Sequence, residues 1–233
     1  MNITDILDRK AWRHIYYEER DIILLHGDSY KLVTYFPDSM ACLADPPYGN
    51  DYDPRHFNRR RSKWCRASNF DPIAGNGVLF DPAPFLRFHK VALWGGQYYA
   101  DKLPASRGWL VWDKREGTQS DSHADCEMAW TNVDMPTRLY SHLWRGICRR
   151  GEENISKGSR RVHPNQKPVA LMAWEIQQLK LTPKDSILDT HCGSGSMAVA
   201  AKRAGIPYVG IDIESKWLDL SIGRLRQEIL NFA

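Results

Sequence analysis

The chain has 233 residues, of which 42% are hydrophobic and 26% are charged, a composition typical of a globular protein large enough for one α/β core. Its five cysteines include no Cys-x-x-Cys pair, which argues against a disulfide framework and a zinc knuckle, and no apolar run is long enough to cross a membrane. The N-terminus has no basic-then-apolar leader, so we expect a reduced, cytoplasmic protein that binds no metal.

The first predicted elements are a short outer helix over residues 3–20, with Thr4 at its N-cap, and a buried strand over residues 22–26. Asp28 follows that strand. An acid in this position is typical of a helix N-cap.

The next strand is an apolar run in residues 41–49 that ends in Asp45, Pro46, Pro47 and Tyr48. The prolines fix the backbone, and in an open α/β sheet ligands bind at the carboxyl ends of strands. A planar ring with an amino group fits there. Asp45 can accept one N–H, the Pro46 carbonyl can accept the other, and Tyr48 can stack on the ring. The same residues are also an ordinary way to end a strand, which leaves a simple turn as the alternative.

Two segments concentrate positive charge. Residues 55–66 contribute +6 and residues 138–161 contribute +5, so the rest of the chain must carry −7 to give the total of +4. Such local charge beside a base-holding motif predicts contacts with the phosphates of DNA. The side chains assigned to this role are Arg55, Arg59, Arg60, Arg61, Lys63, Arg66, Arg145, Arg149, Arg150, Arg160 and Arg161.

Further core elements are indicated by apolar runs. Strands are predicted over residues 91–94, 109–112 and 126–130. The run His-Pro-Asn-Gln-Lys-Pro at residues 163–168 precedes a helix predicted over residues 169–176. The free N–H groups of its first turn, together with Lys167, would favour a carboxylate, and a plain helix start is the alternative.

The last part of the chain has the order strand, glycine turn, helix, strand and acid. Asp189 ends the first strand, Gly193 and Gly195 form the turn, and Asp212 ends the second strand, where an acid can bind ribose hydroxyls. The pattern lacks the third glycine of the dinucleotide fingerprint. It therefore predicts a site for a single nucleoside.

In this order, Asp-Pro-Pro-Tyr, His-Pro-x-Gln-Lys-Pro and Asp-x-x-x-Gly-Ser-Gly resemble the motifs of the permuted, β-type amino-methyltransferases of DNA, especially small phage and prophage members. The resemblance covers roughly residues 22–225. It implies S-adenosylmethionine as the cofactor and double-stranded DNA as the partner. It also implies that residues 45–48 hold the target base, that Asp28 lies near the cofactor's adenine and that Lys167 lies near its methionine end. The cofactor residues it implies are Asp28, Lys167, Asp189, Gly193, Gly195 and Asp212.

The sequence departs from that family in its glycine turn. Thr190 and His191 stand where most members have proline and phenylalanine, and Ser196 replaces a threonine. We interpret His191 as a neutral ring that fills the phenylalanine's space, in preference to a catalytic or metal-binding group.

The resemblance implies one α/β domain over residues 1–233, with a doubly wound, mostly parallel, Rossmann-like methyltransferase sheet in permuted order and helices on both faces. The last strand should lie beside residues 22–26. Basic loops at about 50–75 and 136–162 should contact DNA, and the second is a short insertion suited to a small recognition site.

The expected reaction is methyl transfer to N6 of adenine. Transfer to N4 of cytosine is the first alternative, and an inactive, methyltransferase-like DNA-binding regulator is the second. Methylation of RNA or of a protein glutamine is less expected, and methylation of cytosine C5 is set aside because no Pro-Cys pair occurs. The expected setting is restriction–modification in the cytoplasm of a bacterial or phage-infected cell, with a homodimer as one oligomeric state.

Overall fold

The computed structural model describes Asp8, Gly75 and residues 10–49, 77–118, 124–145, 148–150 and 165–227. Within these ranges the chain forms eleven strands and four α-helices. The strands are β1 Ile15–Glu19, β2 Ile22–His26, β3 Ala41–Ala44, β4 Lys90–Trp94, β5 Trp109–Asp113, β6 Cys126–Thr131, β7 Arg138–Ser141, β8 Trp144–Arg145, β9 Cys148–Arg149, β10 Ile187–Asp189 and β11 Tyr208–Asp212. The helices are α1 Ser29–Leu32, α2 Val169–Gln178, α3 Ser196–Ala204 and α4 Ser215–Gln227.

One mixed sheet organises the described residues, in the order β1-β2-β11-β10-β3-β4-β6-β5-β7. The block from β2 to β4 is parallel throughout, and β6 enters antiparallel between β4 and β5. The last strand, β11, pairs in parallel with β2, with Tyr208 opposite Ile22. The predictions of a mostly parallel α/β sheet and of this neighbour are therefore confirmed.

The two faces of the sheet are covered differently. The three longer helices, α2, α3 and α4, pack on one face, where the small residues of α3 are buried against the strands. The other face is covered by α1 and by phenylalanines from the loops, among them Phe36, Phe80, Phe85 and Phe88. Helices do lie on both faces as predicted, but most of the helical mass is on one.

The predicted N-terminal helix is wrong where the structure describes it. Residues 12–14 form a single 3-10 turn, and Ile15–Glu19 form β1, which pairs antiparallel with β2. Isoleucine and two tyrosines favour a strand, and the alternating burial of β1 shows that only one of its faces meets the core. The tight connection is allowed because Arg20 adopts a φ of +53°. Thr4 lies outside the described residues.

The predicted DNA-contacting insertion starts in regular structure. Arg138–Ser141 form β7, which pairs in parallel with β5 at the edge of the sheet, and β8 and β9 form a small hairpin. Residues 151–162 lie outside the described ranges, as do all the basic residues predicted between 55 and 66. In the part of the chain that is described, no helix has the length and apolar character needed to cross a membrane.

Candidate functional site

Four aspartates lie along the carboxyl edge of the parallel block. Asp28 follows β2, Asp212 ends β11, Asp189 ends β10 and Asp45 follows β3. Because these strands are adjacent and parallel, their carboxyl ends meet at one edge. The structure thus brings together the carboxylates that the sequence assigned to base binding and to cofactor binding.

The turn after β10 is built from glycines in the left-handed region. Gly193 and Gly195 have φ values of +49° and +73°. A Cβ on Gly195 would lie 2.7 Å from Oγ of Ser221 in α4, so this position has no room for a side chain. The Gly193 N–H donates to Oδ2 of Asp212 over 2.9 Å, which ties the turn to the end of β11.

Asp189 and Asp212, the two acids beside the glycine turn, are buried and close to other carboxylates. The Tyr208 hydroxyl and the His191 N–H donate to Asp189 over 2.9 and 3.2 Å. Burial, together with the nearby Asp45 and Asp212 carboxylates, raises the pKa of Asp189 to about 7. Burial also raises the pKa of Asp212 to about 6. A cationic ligand with hydroxyl groups suits this edge, because its charge relieves the repulsion and carboxylates accept hydroxyl protons.

His191 is an uncharged ring within an aromatic cluster. Its ring centroid lies 5.8 Å from that of Phe80 and 6.1 Å from that of Phe85. Nε2 forms a hydrogen bond with Ser29 over 3.2 Å, and Nδ1 forms one with Thr190 over 2.9 Å. Burial lowers the pKa of His191 to about 4, so the ring is neutral at physiological pH. These contacts support the interpretation of His191 as a packing residue.

Asp28 caps α1. Its Oδ1 accepts the N–H of Tyr30 over 3.0 Å, which confirms the N-cap prediction. Its Oδ2 lies 3.6 Å from the ammonium of Lys31, and about a third of the carboxylate side chain is exposed. The predicted contact of Asp28 with a cofactor stays a prediction.

The other half of the site is centred on Asp45. The Tyr48 hydroxyl donates to Oδ1 of Asp45 over 2.6 Å, and the ammonium of Lys167 lies 2.5 Å from the same oxygen. Both contacts from the described residues therefore go to Oδ1. They fix the plane of the carboxylate while Oδ2 retains its lone pairs for another donor.

Tyr48 is half of a stacked pair that the sequence did not predict. Its ring lies 5.1 Å from that of Tyr98 at an interplanar angle of 17°. Gly95 permits this position, since a Cβ there would lie 2.1 Å from Cε1 of Tyr48. The sequence analysis did not assign Tyr98 to the site. Its position shortly after β4, the neighbour of β3, is the signal that places it beside the Asp-Pro-Pro-Tyr turn.

Lys167 lies beside Asp45 and Tyr48, and its predicted place near the cofactor's methionine end stays a prediction. Its buried ammonium is 3.0 Å from Oε2 of Glu127 and 3.2 Å from the Tyr48 hydroxyl, in addition to its contact with Asp45. The ring of Trp94 lies 5.3 Å from Nζ and contributes a cation–π contact. Burial alone would lower the pKa of Lys167, but the two carboxylates outweigh it and raise the pKa.

Glu127, on β6, is a site residue that the sequence analysis missed. It also binds Lys114, whose Nζ lies 2.9 Å from Oε1. Burial would raise the pKa of Glu127, but the two lysines outweigh it and lower the pKa to about 2. Asp45 shares only one of these ammonium groups, and burial raises its pKa despite Lys167. The feature of the sequence that could have identified Glu127 is its place as a single acid in a mostly apolar strand.

Glu175 is a buried acid below the site. Its Oε2 accepts the indole N–H of Trp94 over 2.9 Å, while among the described residues Oε1 has no hydrogen-bond partner. Burial raises the pKa of Glu175 to about 8, so its side chain is largely protonated at neutral pH.

Replacing Glu175 with glutamine should stabilise the fold increasingly as the pH rises from about 5 to 8. The wild-type acid is protonated when folded and ionised when unfolded in this range, so folding becomes less favourable between the two pKa values. The difference should reach a few kcal/mol at pH 8, at about 1.4 kcal/mol per pKa unit. Urea denaturation at pH 5, 6.5 and 8 measures it.

Glu19→Gln is the control for this series, because the pKa of Glu19 is lowered, first by the Tyr17 hydroxyl. Its contribution is present above the unfolded pKa and is lost only in acid, so this variant should show no trend between pH 5 and 8. A flat difference for Glu175→Gln as well would contradict the assignment of a protonated Glu175.

Few of the basic side chains predicted to contact DNA lie in described residues. Arg149 is buried, with its guanidinium 4.7 Å above the ring of Trp144, so it braces the β8–β9 hairpin. Arg150 is exposed and lies 2.5 Å from Glu116. Only the backbone of Arg145 is described. The remaining candidates lie outside the described residues, namely Arg55, Arg59, Arg60, Arg61, Lys63, Arg66, Arg160 and Arg161.

Comparison with known proteins gives consistent matches. The model of a DNA methylase family (N6 and N4 methyltransferases) matches residues 110–222. The chain is 26% identical to the type II methyltransferase M.ScaI of Streptomyces caespitosus, over 94% of this chain and 86% of that protein. It is 25% identical to the type II methyltransferase M2.LlaDCHI of Lactococcus lactis subsp. cremoris, over 91% and 92% of the two chains.

Solved structures share the fold. The M1.HpyAVI–SAM complex superposes with a TM-score of 0.53 at 17% identity, covering 88% of this chain and all of that one. The cytosine-N4-specific PvuII DNA methyltransferase superposes with a TM-score of 0.57 at 13% identity, covering 91% and 88%. The chain is therefore similar in sequence to DNA methylases over residues 110–222, and it shares the fold of solved DNA methyltransferases.

Proposed function

We propose that this protein transfers a methyl group from S-adenosylmethionine to N6 of adenine in double-stranded DNA. The observation that carries the proposal is the Asp45 carboxylate, fixed through Oδ1 by Tyr48 and Lys167 at the strand end next to the glycine turn. This arrangement supports the proposal, because Oδ2 of Asp45 can accept an N–H of an amino group next to the glycine turn.

S-adenosylmethionine fits the acidic edge. The molecule is cationic at its sulfonium, which suits an edge where burial raises the pKa values of Asp189 and Asp212 and neighbouring carboxylates add to both shifts. The positive φ values of Gly193 and Gly195 suit close approach of a nucleoside, and Asp212 is the acid proposed to bind its ribose hydroxyls. When bound, the cofactor supplies an electrophilic methyl group.

The residues of the chain prepare the amino nitrogen of the base. Oδ2 of Asp45 accepts one amino N–H and the Pro46 carbonyl accepts the other, so the nitrogen becomes more tetrahedral and its lone pair more available. Pro47 fixes the turn that holds these acceptors. Orientation of the nitrogen supplies much of the rate, because no covalent intermediate with the protein is needed.

The base must leave the helix before it can reach this site. Asp45 lies in a partly buried turn, so the target nucleotide flips out of the duplex and its ring stacks on Tyr48. Tyr98, which is exposed and stacks on Tyr48, extends this aromatic surface. We propose that the basic segments at 50–75 and 136–162 contact phosphates, and among the described residues of the second segment Arg150 is exposed.

Cytosine N4 is the alternative target. The same pair of acceptors would hold the amino group of cytosine, and the PvuII enzyme with the shared fold is cytosine-N4-specific. We place adenine first because the tetrapeptide resembles the Asp-Pro-Pro-Tyr of enzymes that mostly modify adenine. Membership of the permuted β-type subclass, a phage origin, a homodimer and a role in restriction–modification remain part of this proposal.

The test is transfer of labelled methyl from S-adenosylmethionine to unmethylated duplex DNA, followed by mass spectrometry of the digested nucleosides. We expect N6-methyladenine. N4-methylcytosine would move the proposal to the alternative base. DNA binding without any product would overturn the enzyme proposal in favour of a methyltransferase-like regulator.

A further inference from the structure

Four charged side chains form a continuous row next to the base site. Lys114 contacts Glu127, Glu127 contacts Lys167, and Lys167 contacts Asp45, with all three separations between 2.5 and 3.0 Å. The charges alternate in sign along the row. Its far end lies on the antiparallel part of the sheet, outside the motifs from which the function was inferred.

We propose that Glu127 is a positioning residue for methyl transfer, which shares the ammonium of Lys167 with Asp45 and so leaves Oδ2 of Asp45 available to the amino group of the base. The inference rests on the proposed function and adds to it a residue that none of the three motifs contains.

The position of Lys167 shows why a second acid is needed. Ser196 donates to the backbone carbonyl of Lys167 over 2.7 Å, which anchors the lysine to the first residue of α3. The cation–π contact with Trp94 restrains the end of its side chain. Its ammonium must therefore stay close to Asp45, and it is itself a hydrogen-bond donor that competes with the amino group of a base.

Glu127 lowers that competition. An ammonium that had Asp45 as its only carboxylate partner would bind both oxygens strongly, because a buried charge needs compensation. With Glu127 on its other side, Lys167 directs one contact to each acid and uses only Oδ1 of Asp45. Lys114 in turn compensates Glu127, so the row carries no net charge.

Lys167 also favours the ionised form of Asp45. Burial favours the neutral form of Asp45, and the negative charge of Glu127 acts in the same direction, whereas Lys167 opposes both. The other ionisable groups that act on Asp45 or on Lys167 are Tyr48, Tyr99, Asp189 and Glu175. The two members of the row should thus shift the titration of Asp45 in opposite directions.

The experiment compares the wild type with Glu127→Gln, Lys167→Met and the matched control Glu19→Gln. Glu19 is also paired with a lysine, Lys202 at 3.3 Å, but it lies on β1, far along the sheet. The titration of the Asp45 carboxyl is followed by carbon-13 NMR without DNA. The rate of methyl transfer is followed in single turnovers from pH 5 to 9.

We expect Glu127→Gln to lower the pKa of Asp45 and to lower kcat/KM for DNA by about tenfold, the size of one charge-assisted hydrogen bond. Lys167→Met should raise the pKa of Asp45 and move the acid limb of the rate profile to higher pH. Lys167→Arg should restore that limb, because it keeps the positive charge. Glu19→Gln should match the wild type.

The outcomes separate the two proposals. If the wild type transfers methyl groups while Glu127→Gln and Glu19→Gln behave alike in both measurements, the inference about Glu127 is wrong. If the wild type transfers nothing to DNA, the proposed function fails instead. Glu127→Asp, with circular dichroism as a check of folding, replaces Glu127→Gln if that variant does not fold, and a wild-type profile for it would also contradict the inference.

Discussion

Replacing Asp45 with alanine should reduce methyl transfer to DNA by about 10³-fold, within the range seen when one preorganised hydrogen-bonding group is removed from an active site. The loss follows because the amino group of the base would retain only one acceptor, the Pro46 carbonyl. Binding of S-adenosylmethionine should change by no more than a few-fold. Single-turnover transfer and isothermal titration measure the two effects separately.

The fold should tolerate this change. Lys167 would keep Glu127 as a partner at 3.0 Å, so the variant leaves no buried ammonium without a counterion. Asp185→Ala is a suitable control, since Asp185 also pairs with a lysine, Lys90 at 3.8 Å, but at the amino end of β10. Equal transfer by Asp45→Ala and the control would exclude Asp45 from the chemistry.

Replacing Gly95 with alanine should reduce transfer by about 10²-fold, as expected when a positioning group near the reacting atoms is displaced. The added Cβ would lie 2.1 Å from Cε1 of Tyr48 and 2.7 Å from its Cζ. No rotation of so short a side chain relieves this overlap, so Tyr48 must leave its stack with Tyr98 and its hydrogen bond to Asp45. Transfer rates at saturating cofactor measure the effect.

Gly117→Ala separates the overlap from the backbone effect. Gly117 has a φ of +78°, close to the +76° of Gly95, but an added Cβ there meets none of the described residues within 4 Å. Both variants should lose about 1–2 kcal/mol of stability from the left-handed backbone, and only Gly95→Ala should lose activity beyond that. Parallel loss of activity in both would show that the contact with Tyr48 does not matter.

The strands that position the site could be predicted because their signals are local. Short apolar runs that end in an acid or a glycine turn predicted β2, β3, β10 and β11, and their order in the sheet followed from the resemblance. The failures depend on partners distant in the sequence. Residues 15–19 pair with β2 instead of forming a helix, and this contact is not visible in their own pattern.

The part of the site around Asp45 was less predictable for the same reason. Glu127 reaches Lys167 across 40 residues because β6 inserts antiparallel beside β4, and no spacing in the sequence encodes that pairing. Lys167 was recognised as a residue of interest, but its partners were not, and Tyr98 was not assigned to the site. Contacts between side chains on different strands depend on the register of the whole sheet.

The acidic sheet edge also bears on turnover in the proposed reaction. Methyl transfer removes the positive charge from the sulfur, so S-adenosylhomocysteine no longer offsets the repulsion of Asp189 by Asp45 and Asp212, which adds to the effect of burial in raising the pKa of Asp189. S-adenosylhomocysteine should consequently dissociate faster than S-adenosylmethionine. Inhibition by this product should weaken as the pH rises through 7, because Asp189 then ionises. The same acidic edge should therefore favour binding of S-adenosylmethionine and dissociation of S-adenosylhomocysteine.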